Sequence, residues 1–268
     1  AGLVGTETLS RVVSVINRGS IIADGGTITV QGASVRNEGT LQAINGAQLY
    51  TYNLTNAATG VLAMSGATSN FFLDNLTKLE DDETITGEGV LRVRGTLDLQ
   101  GHTLTAGGVF TSDQNPTIKN GRLDGAAVYR VEGGKTLTLD STVTVGADIT
   151  VQNNGRLYVS NGSLVLDAAT VHLQSIGSAT MLDFEGAAVQ LGGSGGVSFE
   201  GNGANNWVRP ISANGVLTIR PSRMIIEQMT ARHDRLPVQA SGQILLDPNH
   251  VGMDLLVKAA AARLDDEF

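Results

Sequence analysis

Three aspartates, Asp98, Asp124 and Asp140, occupy polar positions of short runs that alternate apolar and polar residues. Two carboxylates held about 5–9.5 Å apart across a glycosidic bond can cleave it, one as acid and the other as base or nucleophile. These three lie 26 and 16 residues apart, so a repeat near 20 residues does not stack them, and solvated surface carboxylates are the expectation. The run Glu80-Asp81-Asp82-Glu83 offers the hard oxygen donors that calcium takes about six to eight of. Four adjacent side chains cannot all turn to one ion, so an exposed acidic loop is the simpler expectation, with calcium as the ion it would suit. His102, His172, His233 and His250 are too scattered for metal-ligand spacing.

Aromatic side chains among polar residues can stack on sugar rings. Trp207, the only tryptophan, sits in Gly203-Ala204-Asn205-Asn206-Trp207-Val208. With Tyr50, Tyr52 and Tyr158 it makes the set of candidate carbohydrate- or partner-binding positions; packing a loop onto the body is the plainer role for Trp207. Arg92, Arg94, Arg122 and Arg130 would form a basic patch for an anionic glycan if they shared a surface, and a mixed-charge surface if they did not.

What must position these groups is a repeat. Asn17-Arg18-Gly19-Ser20-Ile21-Ile22-Ala23 recurs as Asn37-Glu38-Gly39-Thr40-Leu41-Gln42-Ala43, and more weakly from Asn56 to Ala63. Ala23, Ala43 and Ala63 keep a spacing of 20 residues, and Gly134, Gly155, Gly177, Gly196 and Gly215 return at 21, 22, 19 and 19. Within each period the texture is β: Thr27-Ile28-Thr29-Val30, Leu137-Thr138-Leu139 and Leu157-Tyr158-Val159 alternate, giving one inward and one outward face. Gly, Asn-Gly and Asp-Gly punctuate these runs and suit corners that need positive φ. A period near 20 is too short for a βαβ unit of about 30 residues or a propeller blade of about 40. One coil of a β-solenoid fits, each strand pairing in parallel with its counterpart about 4.8 Å along the axis.

The predicted fold is therefore all-β: a right-handed parallel β-helix over 1–220 with coils of about 20 residues, and a capping segment over 221–268 with a helix over 251–264. An antiparallel sandwich is the competing architecture, but it does not explain the period. Ile21, Leu41 and Leu62 should stack inward, and Asn17, Asn37 and Asn56 should form a ladder at a corner. Residues 64–130 fit the period poorly and suggest a longer loop or an elaborated coil.

Composition narrows the function classes. Of 268 residues 34 are glycine, and 41% are hydrophobic against 16% charged, enough apolar surface for a sizeable core. The absence of cysteine excludes a disulfide scaffold, a thiol nucleophile and cysteine-bound metal. A net charge of −8 disfavours nucleic acid, and no apolar run reaches the length of a membrane-spanning helix.

The Asn-x-Gly-(Ser/Thr)-aliphatic-x-Ala pattern of Asn17–Ala23 and Asn37–Ala43 resembles filamentous-haemagglutinin-like exoproteins of two-partner secretion. Ala23-Asp24-Gly25-Gly26-Thr27-Ile28-Thr29-Val30 is similar to them in texture, and autotransporter passengers share the architecture. The resemblance covers 15–63 best and 85–220 in part. It implies export in elongated form, a secreted or bacterial cell-surface location, and binding of a host-cell or matrix glycan or protein receptor by part of a longer chain. The expectation is a non-catalytic adhesin segment, with a polysaccharide lyase or glycoside hydrolase as the alternative. Ice binding is a remoter class, because Thr-x-Thr pairs do not recur once per coil.

Overall fold

The computed structural model describes residues 1–6, 13–125, 128–202, 205–212, 216–219, 223–233, 236–246 and 253–255. Its strands stack into a parallel β-solenoid of about eight turns with coils of about 21 residues. Three columns of strands form its faces. The first face includes Thr27–Gln31, the start of Gln48–Asn56, Val90–Val93, Val109–Ser112, Val128–Val131, Thr170–Gln174 and Gly196–Glu200. The second includes Ser14–Asn17, Ser34–Asn37, Thr96–Asp98, Arg156–Ser160, Thr180–Glu185 and Asn206–Pro210. The third includes Ser20–Asp24, Thr40–Ile44, Val61–Ser65, Thr103–Ala106 and Ser163–Leu166. Every pairing within these columns is parallel, which rules out the antiparallel sandwich.

Parallel sheets are usually covered on both sides and read as continuous apolar runs. Here one side faces water, so the strands alternate, and like residues stack inward coil upon coil. On the first face Leu49, Phe71, Leu91, Phe110, Tyr129, Ile149, Val171 and Val197 form one register column, each at most 3% exposed. On the third face Leu41 and Leu62 are buried below 2% while Ile21, at the start of the column, packs against the core half-buried. Val61 points outward at 47% exposure, so Leu62 is the inward member of that repeat.

Residues 64–130 are neither a longer loop nor an elaborated coil. Phe71 pairs with Leu49 on one side and Leu91 on the other, and Leu91 pairs with Phe110, so the coils run through in register. The repeat was hidden because its corners are turned by different residues. Gln100, Asn120, Ser141 and Asn161 take φ of 51°, 58°, 64° and 57° in successive coils at the corner between the second and third faces. Asparagine tolerates this region, so the left-handed residue itself need not be glycine, although a glycine follows it at Gly101, Gly121 and Gly162.

Conversely, the repeat glycines Gly19, Gly39 and Gly60 are not at positive φ. A Cβ on Gly39 would lie 2.1 Å from the Gly19 carbonyl oxygen, and one on Gly60 would lie 2.5 Å from the Asn37 carbonyl oxygen. Glycine is required at Gly39 and Gly60 by close contact between coils, not by backbone conformation, whereas a Cβ on Gly19 would meet nothing within 4 Å.

Beyond the third-face strand Val216–Ile219 the pairing changes. Arg223–His233 continues the first face on one edge through Arg223–Ile226 and pairs antiparallel with Leu236–Leu246 on the other, from Arg223 to His233. Met253–Leu255, inside the predicted helix, is instead a strand antiparallel to Leu236–Leu246; the rest of that prediction lies outside the described residues.

Candidate functional site

The outward side of the first face carries a stacked column. Tyr50 pairs in register with Phe72, and Phe72 with Arg92. The Tyr50 and Phe72 rings are parallel within 3°, their centroids 4.1 Å apart, and the Arg94 guanidinium lies 4.2 Å from the Phe72 centroid on the next coil. Phe72 points away from the core yet is only 4% exposed, because a ring and a guanidinium cover it. Offset stacking and cation–π attraction supply the geometry. The Tyr50 hydroxyl donates to the Gln48 side-chain oxygen at 2.8 Å.

Beside this column Tyr52 pairs in register with Asp74. Arg94 turns from Asp74 toward Asp113, donating from Nη2 to Oδ2 at 2.9 Å, and Arg92 Nη1 donates to the same oxygen at 3.1 Å. The two aspartates diverge in consequence. Burial pushes Asp74 above its ordinary value, only partly offset by Arg94, and its Oδ2 is buried without a partner. Burial also pushes Asp113 upward, but hydrogen bonds and charge from Arg94 and Arg92 outweigh it and hold the carboxyl below its ordinary value. Burial, and then the charge of Asp74, raises the Tyr52 phenol.

A second cluster lies on the second face. Arg156, Met181 and Trp207 share one register column, and Tyr158, Asp183 and Arg209 the neighbouring one. Arg209 Nε donates to Asp183 Oδ1 at 2.8 Å. Arg156 Nε sits 2.7 Å from Asp183 Oδ2 as an ion pair whose N–H is not aligned on that oxygen. The Arg156 guanidinium lies 4.5 Å over Tyr158, and that of Arg209 lies 5.0 Å over Trp207. The four predicted aromatics thus fall into two pairs, one on each face.

The acidic run does not converge. Glu80 accepts from Arg36 at 2.6 and 2.8 Å. Glu83 turns inward, accepting from the Asn56 amide and from the Leu62 N–H at 3.2 Å. Asp81 and Asp82 stay exposed and lie with His102 in a group whose potential ligand atoms are within 4.8 Å of one another, a geometry a cation could use.

The registers bring two of the three aspartates into line, against the expectation from spacing: Asp98 and Asp140 share one column of the second face with Lys119 between them, while Asp124 lies apart on the third face. Asp98 accepts from Asn120 at 3.1 Å and lies 3.5 Å from Lys119, while Asp140 accepts from Asn161 at 3.2 Å. Both brace the left-handed corner residues of the next coil. Asp124, on the third face, is held by Arg122 at 2.8 Å, and Arg122 also binds Asp167. The four arginines are therefore distributed: Arg92, Arg94 and Arg130 on the first face and Arg122 on the third. His172 contacts Glu200 and lies 3.6 Å from Asp148, beside a surface hollow of about 460 Å³ that Val128, Gly146 and Thr150 help to line.

Sequence reasoning missed Phe72, Asp74, Arg156, Asp183 and Arg209 as members of sites. Tyr50 to Phe72 and Tyr52 to Asp74 are both 22 residues apart, a signal that needed the period carried through 64–130. Val171 to Val197 spans 26 residues, and that long coil obscured the Arg156–Asp183–Arg209 alignment.

The fold and these surfaces define a parallel β-solenoid with stacked aromatic and guanidinium groups on its outer faces. No family model, no curated protein and no solved structure matches the chain.

Proposed function

We propose that this chain is a non-catalytic binding shaft of a secreted or surface-displayed bacterial adhesin, of the filamentous-haemagglutinin-like or autotransporter-passenger type, that engages glycan through rigid platforms on its outer faces. Its coils run in the right-handed sense favoured for crossovers between parallel strands, and the antiparallel segment after Arg223 serves as its cap. The observation that carries this reading is the Tyr50–Phe72–Arg94 stack. A buried outward phenylalanine clamped between a tyrosine ring and a guanidinium adds little to a core that is already filled from within. It does fix Tyr50 as a flat, amphipathic contact surface that loses little entropy when a sugar ring packs on it. The cluster of Tyr158 and Trp207 on the second face offers a separate contact surface of the same aromatic and guanidinium chemistry.

The test is a glycan and cell-binding screen of the full chain, with turnover measured in parallel, with and without calcium. Binding without cleavage that is lost in Tyr50→Ala, whose circular dichroism stays unchanged, is the expected result. Reproducible cleavage abolished by Asp98→Asn, Asp124→Asn or Asp140→Asn would replace this reading with a polysaccharide-active enzyme.

A further inference from the structure

The cluster on the second face differs from the first in its charge balance. Asp183, with its side chain 1% exposed, is the single carboxylate between two arginines, so the triad carries a net positive charge on a chain of net −8. Both guanidiniums are fixed before any ligand arrives, each anchored on Asp183 through Nε and each lying over an aromatic ring. With the Nε edges turned inward, Nη donors remain toward solvent; Arg209 Nη2 also touches Met181 Sδ at 3.3 Å and Asp183 Oδ2 at 3.4 Å. The arginine side chains are 31% and 40% exposed and Trp207 is 45% exposed, so the cluster is accessible. Glu185, two positions along the strand from Asp183, is exposed and is not drawn into the triad.

A planar guanidinium presents paired donors that match an oxyanion, and one that is stacked and anchored loses less freedom on binding than a mobile one. We propose that Arg156 and Arg209 together bind the anionic group of an acidic sugar, a carboxylate or a sulfate ester, with the sugar ring resting against Trp207. The inference rests on the reading of the chain as a glycan binder and assigns the acidic ligand to this face.

Trp207 is the only tryptophan, so its fluorescence reports on this cluster directly. The full chain is titrated with a glucuronate-containing oligosaccharide, with the same sugar as its methyl ester, and with a sulfated neutral oligosaccharide. A saturable change is expected with one or both anionic sugars, and which of them responds identifies the anion. The methyl ester and the Arg209→Gln variant should bind about tenfold or more weakly, as expected when a charge-assisted hydrogen bond is lost, and added salt should weaken the interaction. Arg209→Lys, which keeps the charge and loses the fork, should fall between, with circular dichroism unchanged. Where the glucuronate sugar binds, equal binding of its methyl ester would overturn the proposal, as would a flat titration with both anionic sugars. A flat titration alongside Tyr50-dependent glycan binding refutes this site alone, whereas loss of both refutes the glycan-binding reading itself.

Discussion

The side-chain amide of Asn56 donates to the Glu83 carboxylate, closing a buried column in which Asn17 donates to Asn37 at 2.8 Å and Asn37 to Asn56 at 2.7 Å. The sites above are carried on a shaft whose second- and third-face strands are joined along this column. Each amide also reaches a main-chain carbonyl across the corner, Thr40, Val61 and Gly60 in turn, so the ladder ties successive coils together.

Glu83 makes this ladder sensitive to pH. Desolvation raises its pKa from 4.5 to about 7, against the hydrogen bonds from Leu62 and Asn56 that favour the anion. A folded-state pKa above the unfolded value means that the protonated group favours folding. That contribution is fully present below about pH 4.5 and is lost as pH rises to about 7, amounting to about 3 kcal/mol. Asp113, Asp124 and Glu200, all held low, have the opposite sign and lose their contribution at acidic pH. Denaturation of wild type and Glu83→Gln across pH 4 to 8 separates the two effects. The difference between the curves should change by a few kcal/mol over that range, and parallel curves would show that Glu83 does not titrate there.

Interrupting the ladder should be costly at its middle. Asn37 is fully buried and serves Asn17, Asn56 and Val61 at once. Asn37→Ala orphans buried polar groups at about 1–3 kcal/mol each, whereas Arg18→Ala, at an exposed salt bridge, should cost under about 0.5 kcal/mol. Urea denaturation that ranks the two equally would show that the ladder does not contribute to stability.

The ladder was legible in the sequence because Asn17, Asn37 and Asn56 are 20 and 19 residues apart. Its terminus was not. Glu83 sits in a run of four acids whose composition reads as solvated loop, and only the alternation of Glu83-Thr84-Ile85 hints that it shares the inward side with Ile85. The aliphatic columns were legible for the same reason as the asparagines, since inward positions repeat their chemistry from coil to coil. Outward clusters do not repeat. Tyr158 and Trp207 were recognisable as isolated rings, but their partnership with Asp183 depends on registers set by coils of unequal length, which spacing alone does not reveal.

Two glycines that look equivalent in the repeat should respond differently. A Cβ at Gly39 would sit 2.1 Å from the Gly19 carbonyl oxygen, while one at Gly19 has nothing within 4 Å. Neither has a positive φ, so backbone strain does not enter. Gly39→Ala must push two coils apart and should lower stability by about 1–3 kcal/mol, as overpacking does. Gly19→Ala should be neutral or slightly stabilising through its effect on the unfolded chain. Thermal melts of the two variants check this, and equal shifts would refute the contact between coils.

The Arg156–Asp183–Arg209 triad should show strong non-additivity. Its anion cannot reach water, with the Asp183 side chain 1% exposed, while its cations can, at 31% and 40%. Removing either arginine alone leaves Asp183 one cationic partner, so Arg156→Gln and Arg209→Gln should each cost about 1 kcal/mol. Removing both strands a buried carboxylate, and the double variant should lose about 3–5 kcal/mol, more than the sum of the single changes. Asp183→Asn should be milder than the double variant, because the freed guanidiniums can turn to solvent. A double-mutant cycle by chemical denaturation measures the coupling directly. Additive losses, or an Asp183→Asn variant less stable than the double arginine variant, would mean that solvent screens Asp183 despite its burial, and that the two guanidiniums are not held by a shared charge.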